Sequence, residues 1–119
     1  SRHWATASPI ALDRNPGDLH DPDARRRAAA FEEAATIIQA ACQRVGLPAP
    51  THVDVLRSCV LPGSAKPRHY PRFPAASSRP QRVLVHARLT FDAPVTGPVL
   101  LGSGRYFGLG LCAPVDGDS

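Results

Sequence analysis

Apolar residues recur at helical spacing in one segment of the chain, between recognisable start and stop signals. The run Asp21-Pro22-Asp23 has the residue types of a helix start, with Asp21 as the N-cap, a proline at the first helical position and an acid at the positive end of the dipole. Gly46 and Pro48 supply the stop. The apolar stripe consists of Phe31, Ala34, Ile38, Cys42 and Val45. This pattern predicts a helix over about residues 22–45.

Three other segments have the composition or alternation of β-strands. Residues 4–10 combine aromatic and β-branched side chains, and Pro9 limits this strand to an edge or an end. Residues 52–61 predict a second strand, and residues 82–91 predict a third because apolar and polar positions alternate. Its core face holds Val83, Val85, Ala87, Leu89 and Phe91, and its polar face holds Leu84, His86, Arg88 and Thr90.

The last part of the chain predicts one or two helical turns over residues 95–101 and a final strand over residues 109–114. The element order is then β-α-β-β-α-β, the split βαβ arrangement of ferredoxin-like domains. In this α+β fold an antiparallel sheet packs its apolar face on two helices and leaves the other face open. A length of 119 residues allows one modest core, so residues 1–119 are expected to form a single domain.

Composition narrows the class of protein. No apolar run approaches the roughly 20 residues of a membrane span, and no signal peptide is recognisable, so no membrane contact is expected. Cys42, Cys59 and Cys112 are far apart and form no C-x-x-C pair, which fits a reducing cytoplasm. The acids are scattered and no histidine pair has ligand spacing, so neither a metal site nor a cofactor is expected. The chain begins without methionine, which suggests a fragment of a longer protein.

Positive charge is concentrated in one interval. The formal net charge is +4, and no acidic residue lies between Asp54 and Asp92. Residues 64–80 predict a long exposed basic loop, and loops beyond about 12–15 residues are uncommon unless functional or disordered. The cations of the interval are Arg57, Lys66, Arg68, Arg72, Arg79, Arg82 and Arg88, interleaved with His69, Tyr70, Phe73 and His86. This composition suits phosphate contact combined with base stacking.

Residues 102–110 form a glycine-rich loop with four glycines in nine residues. Glycines keep no side chain between backbone and ligand, and the amides of such a segment can form an anion-binding concavity. Arg105 within the loop favours an anionic ligand. The alternative is a tight turn that packs closely on the sheet. The spacing does not fit a dinucleotide-binding loop, and no Walker lysine is present.

Several motifs together resemble a known family. They are His3-Trp4 with Ser8-Pro9, Gly46-Leu47-Pro48-Ala49-Pro50, His86-Ala87-Arg88-Leu89-Thr90-Phe91 and the segment 97–111. On these motifs the chain resembles the RAMP superfamily of CRISPR-associated proteins, and it looks very similar to the C-terminal region of the Cas-five/Cas-six fusion subunits of subtype I-G (formerly I-U). The resemblance implies binding of CRISPR repeat RNA alongside other effector subunits. It also implies cleavage of the precursor by the full-length protein, through metal-independent attack of a ribose 2′-hydroxyl on the adjacent phosphate.

In related nucleases a histidine often acts as general acid or base, commonly in a first ferredoxin-like domain that this sequence lacks. The resemblance therefore leaves open whether the fragment alone is active. His86 beside Arg88 is the catalytic candidate, because an imidazole and a guanidinium can share one phosphate. The alternative is a partly buried histidine that is hydrogen-bonded to a neighbouring strand. Nothing in the sequence fixes a distance between His3 and His20, and His52 has no distinctive partner.

The resemblance thus implies the RNA-binding domain of an endoribonuclease that processes precursor CRISPR RNA at repeats. One alternative is a non-catalytic guide-RNA-binding scaffold of an effector complex, and another is a ferredoxin-like module for small molecules or proteins. The expected RNA contacts are Lys66, Arg68, His69, Arg72, Arg79, Arg82, Arg88, Gly102, Gly104, Arg105, Gly108 and Gly110.

Overall fold

The protein has an α+β fold in which a helix packs on a curled antiparallel sheet, so the predicted class is confirmed. The structure is a computed structural model that describes residues 1–56, 83–102 and 109–115. Its elements in chain order are β1 (His3–Thr6), β2 (Ile10–Ala11), α1 (Ala24–Arg44), β3 (His52–Leu56), β4 (Leu84–Thr90), β5 (Val99–Leu100) and β6 (Leu111–Pro114).

The helix α1 lies where the apolar stripe predicts it, but its N-cap differs from the prediction. The side chain of Asp23 accepts hydrogen bonds from the amides of Arg25 and Arg26 and so caps the helix. Asp21, the predicted cap, instead accepts from the amide of Asp23 at 2.8 Å. The N-cap prediction is therefore wrong, because the local turn closed by the Asp21 side chain delays the first helical residue.

The C-terminal end of α1 is closed by Gly46, as the sequence predicts. Gly46 has a φ of +88°. Its amide donates to the carbonyl of Gln43, and the amide of Leu47 donates to the carbonyl of Cys42 at 2.9 Å, which together form a Schellman motif. Val45 is the C-cap and 40% exposed, so its predicted place in the apolar stripe is wrong. The buried helix residues are Ala30, Ala34, Ile37, Ile38, Ala41 and Cys42.

The sheet has the strand order β3-β4-β1-β6-β5, with β2 pairing β4 beyond the end of β1. The predicted first strand over residues 4–10 is therefore two strands. Pro9 lies between them, since proline cannot donate to a ladder of hydrogen bonds. The first of the two is not an edge strand, because β1 pairs with β4 on one side and with β6 on the other.

The predicted second helix over residues 95–101 is wrong, because Val99–Leu100 forms β5. Val99 pairs with Cys112 and Leu100 pairs with Leu111 of β6. A short apolar run fits a strand as well as a helical turn, and here the pairing with β6 satisfies its backbone while Val99 is buried. The order β-α-β-β-α-β is therefore not confirmed, since the described residues contain one helix.

The two faces of the sheet differ in what covers them. On the face toward α1, Trp4, Leu89 and Val53 lie side by side in register and join the hydrophobic core. The opposite face, which we call the far face, is open in the predicted fold. It is only partly open, because Ala5 and His86 on it are 0% exposed.

Candidate functional site

The structure places four of the predicted site residues, and the others lie outside the described residues. Arg88 is exposed in the middle of β4, and His86 lies two positions before it. Gly102 contacts Ala11, which pairs with the start of β4, so Gly102 lies toward the His86 end of that strand. The predicted contacts outside the described residues are Lys66, Arg68, His69, Arg72, Arg79, Arg82, Gly104, Arg105 and Gly108.

His86 is completely buried against the end of β1. Its Nδ1 lies 2.6 Å from the Oγ1 of Thr6. The same Thr6 oxygen accepts the amide of Ala87 at 3.1 Å, so one hydroxyl ties the imidazole to the backbone of the next residue. This is the geometry of a histidine that supports the fold, because a catalytic group must reach the proton that it moves. A catalytic role for His86 stays a prediction.

Gly102 and Gly110 are required by close packing of the backbone. Both have a positive φ, +88° and +74° respectively. A Cβ on Gly102 would lie 2.5 Å from the carbonyl oxygen of Ala11, and one on Gly110 would overlap the carbonyl oxygen of Leu101. The amide of Gly110 already donates to the carbonyl of Pro9 at 2.8 Å. At these two positions the backbone packs as a tight turn does, and a phosphate contact by either stays a prediction.

A second polar cluster lies on the far face at the other end of β4, and sequence reasoning missed it. Thr90 is directly opposite His3 of β1 and directly opposite His52 of β3. The Nδ1 of His3 lies 3.4 Å from the Oγ1 of Thr90. Since neighbouring strands are about 4.8 Å apart, the Cα atoms of the two histidines are about 10 Å apart with their side chains on one face. We call His3, Thr90 and His52 the histidine row.

The histidine row is accessible, unlike His86. His52 is exposed, and His3 and Thr90 are half-exposed. One step farther along the strands, Asp54 lies directly opposite Arg88, and both side chains are exposed. The far face therefore presents the imidazole and hydroxyl groups of the histidine row beside the carboxylate of Asp54 and the guanidinium of Arg88.

Comparison with known proteins places the chain in one family. The family model described as CRISPR-associated protein, GSU0054 family, matches residues 1–114. The chain belongs to this family. No curated protein and no solved structure matches it. Membership in the GSU0054 family confirms the CRISPR-associated role that the sequence motifs imply, while the subtype I-G fusion subunit stays a prediction.

The two described cysteines of this GSU0054-family chain have unreactive thiols. Burial raises the pKa of the Cys42 thiol to about 11. Burial, and to a smaller extent the neighbouring Cys42, raises the pKa of Cys112 to about 12. Both thiols are therefore protonated near neutral pH and are poor nucleophiles. Among the residues that the structure describes, no helix has the length and apolar character to cross a membrane, and no group of three His, Cys, Asp or Glu residues could hold a metal ion.

The histidine row depends on strand pairing, which explains why the sequence conceals it. His3, Thr90 and His52 are far apart in the chain, and only the register of β1, β4 and β3 brings them together. A weak signal is present. Each of them directly adjoins an apolar residue that points into the core of this GSU0054-family domain, namely Trp4, Leu89 and Val53.

Proposed function

We propose that this chain is the RNA-binding domain of a metal-independent endoribonuclease that processes precursor CRISPR RNA at repeats. The observation that carries the proposal is the histidine row. Cleavage by a ribose 2′-hydroxyl requires a base for that hydroxyl and an acid for the leaving oxygen. Two accessible histidines on either side of Thr90 can bracket one phosphodiester.

Cleavage at the histidine row transfers two protons. One imidazole removes the proton of the 2′-hydroxyl, and the 2′-oxygen attacks the adjacent phosphorus. The bond from phosphorus to the 5′-oxygen breaks, and the second imidazole, in its protonated form, donates a proton to that oxygen. The products are a 2′,3′-cyclic phosphate and a 5′-hydroxyl. The hydroxyl of Thr90 lies between the imidazoles and donates to a non-bridging phosphate oxygen.

The fold and the family support the wider setting of this proposal. The strands β6, β1, β4 and β3 are neighbours in that order, which is the strand order of a split βαβ domain. Membership in a CRISPR-associated family supports a repeat RNA as the ligand. In this proposal the basic loop 64–80 and the glycine-rich loop 102–110 hold the RNA backbone, and the domain works in the cytoplasm with other effector subunits as part of a subtype I-G fusion subunit.

The test is cleavage of labelled repeat RNA in EDTA by the full-length protein. His3→Gln and His52→Gln are each expected to slow cleavage by about 10² to 10⁴-fold, the usual contribution of a general acid or base. RNA affinity should change little. His20→Gln is the matched control, because His20 is an exposed histidine outside the row.

Other outcomes select the alternatives. Loss of cleavage in a His86→Ala variant that still folds, with full cleavage in the His3 and His52 variants, would return the acid–base role to His86. RNA binding that depends on salt, without cleavage by the wild-type protein or any variant, would indicate a guide-RNA scaffold. When a protein neutralises RNA phosphates with its cations, its affinity falls steeply as the salt concentration rises. No RNA binding at low salt would overturn the proposal in favour of a small-molecule or protein-interaction module.

A further inference from the structure

A groove of about 450 Å³ lies between α1 and β3, within the size range of small-ligand sites. Residues 53–56 of β3 all line it. Successive residues of a strand point to opposite faces, so consecutive residues line one groove only where it follows the strand edge. Among the described strands, β3 pairs with β4 alone, which leaves its outer edge to the groove.

The chemistry of the groove is a mainly apolar lining with three charged groups. The apolar part is formed by Phe31, Ala35, Val53, Val55 and Leu56, and the charged groups are Glu32, Asp54 and Arg88. Two carboxylates and one guanidinium give a formal charge of −1, which disfavours a phosphate. A flat neutral ring with N–H donors on one edge and acceptors on another matches this lining.

We propose that the groove binds a single nucleobase of the RNA and prefers guanine. Phe31 contributes an aromatic side chain to the lining, and unpaired RNA bases stack on such side chains while their edges are hydrogen-bonded. The carboxylates of Glu32 and Asp54 accept from the ring N–H and the amino group of guanine. Arg88 donates to the O6 and N7 acceptors, a pairing that guanine favours. Uracil has a single ring N–H, between two carbonyls. One of the two carboxylates would therefore have no hydrogen-bond donor.

The position of the groove fits a base next to the cleaved phosphate. His52 and Asp54 lie two residues apart on one face of β3, a step of about 7 Å, and the same step separates Thr90 from Arg88 on β4. A base held at Asp54 and Arg88 therefore belongs to a nucleotide beside the phosphate at the histidine row. This assignment rests on the proposed function for the identity of the RNA, whereas binding of the base itself does not.

The test is a titration of the isotopically labelled chain with guanosine monophosphate, uridine monophosphate and inorganic phosphate, followed by the shifts of its backbone amides. Guanosine monophosphate is expected to shift the amides of residues 53–56, uridine monophosphate to shift them less, and phosphate to leave them unchanged. Phe31→Leu should weaken guanosine monophosphate binding about tenfold by removing aromatic stacking. Asp54→Asn should weaken it about tenfold by removing a charged acceptor. Asp92→Asn removes an exposed carboxylate outside the groove and should have no effect.

The outcomes separate this inference from the proposed function. Unchanged amides at residues 53–56, in a chain that still binds repeat RNA, would overturn the base site and leave the endoribonuclease proposal standing. Shifts with guanosine monophosphate in a chain whose full-length protein neither binds nor cleaves repeat RNA would support the base site and overturn the proposed function. Equal shifts with both nucleotides would remove the guanine preference. A groove that ignores nucleotides but is protected by a partner protein would overturn the inference in favour of a protein contact.

Discussion

The two ends of β4 each join a histidine to a threonine across the boundary with β1, and the fold gives these pairs opposite surroundings. At one end, His86 of β4 lies 2.6 Å from Thr6 of β1 and is 0% exposed. At the other end the residue types are exchanged. His3 of β1 lies 3.4 Å from Thr90 of β4, and both side chains remain half-exposed beside the exposed His52. About 14 Å of extended strand separates residues 86 and 90.

This difference shows that accessibility, rather than residue type or charged neighbours, distinguishes the two ends. The His86 side chain is held without contact with solvent, and its hydrogen bond satisfies a polar group that would otherwise be costly to bury. The side chains of the histidine row are accessible to solvent. The buried end is therefore expected to govern stability and the exposed end to govern chemistry, and substitutions at each end test this division.

The largest loss of stability is expected from Gly110→Ala, at the buried end of β4. Its φ of +74° already costs an L-residue roughly 1–2 kcal/mol, and the new Cβ would overlap the carbonyl oxygen of Leu101, which only a backbone shift can relieve. We expect a loss of roughly 4 kcal/mol in the free energy of unfolding, or failure to fold. Urea unfolding followed by circular dichroism measures this loss.

Gly46→Ala provides the matched control for this substitution. Gly46 also has a positive φ, of +88°, but a Cβ there would meet no atom within 4 Å. Its cost should be limited to the backbone conformation, about 1 kcal/mol. Equal losses for the two variants would show that the contact between Gly110 and Leu101 does not hold the buried end together.

An intermediate loss of stability is expected from Thr6→Val, which keeps the shape of the side chain but removes its hydroxyl. The amide of Ala87 and the Nδ1 of His86 each lose their contact with the Thr6 oxygen in a buried position. Leaving buried polar groups without partners costs about 1–3 kcal/mol. Hydrogen exchange of the Ala87 amide is the most direct measurement, and its protection should fall in this variant.

Thr6→Ser separates the hydroxyl from the methyl group. It loses packing but retains the oxygen that contacts both His86 and Ala87, so exchange of the Ala87 amide should stay slow. Fast exchange in both variants would indicate that the methyl group, rather than the hydrogen bonds, maintains this end of the sheet.

Local signals in the sequence predict the parts of the fold that depend on local interactions. The apolar stripe and Gly46 give the position of α1, and the alternation along β4 gives its core face, because side-chain direction follows from helix and strand periodicity. The error at residues 95–101 has a physical cause. A short apolar run has no decisive period, and its pairing with β6, which is a non-local contact, determines its conformation.

The site is less predictable than the fold because it depends on register and burial. A shift of one residue in the pairing of β3 or β1 with β4 would turn His52 or His3 to the other face. No local pattern sets that register for segments so distant in the chain. The burial of His86 also depends on a non-local contact. Alternation along β4 places it on the polar face, whereas its contact with Thr6 accompanies complete burial.

The smallest effect on stability is expected at the exposed end. His3→Gln and His52→Gln should each change the free energy of unfolding by no more than about 0.5 kcal/mol, as is usual for accessible side chains. Diethylpyrocarbonate modification mapped by mass spectrometry adds a direct comparison. In the native chain His52 and His3 should be modified well before His86, whereas all three should react alike in urea. If His86 reacts as fast as His52 under native conditions, the buried end opens in solution. His86 would then be available to a substrate, and the division between a stabilising and a chemical end of β4 would fail.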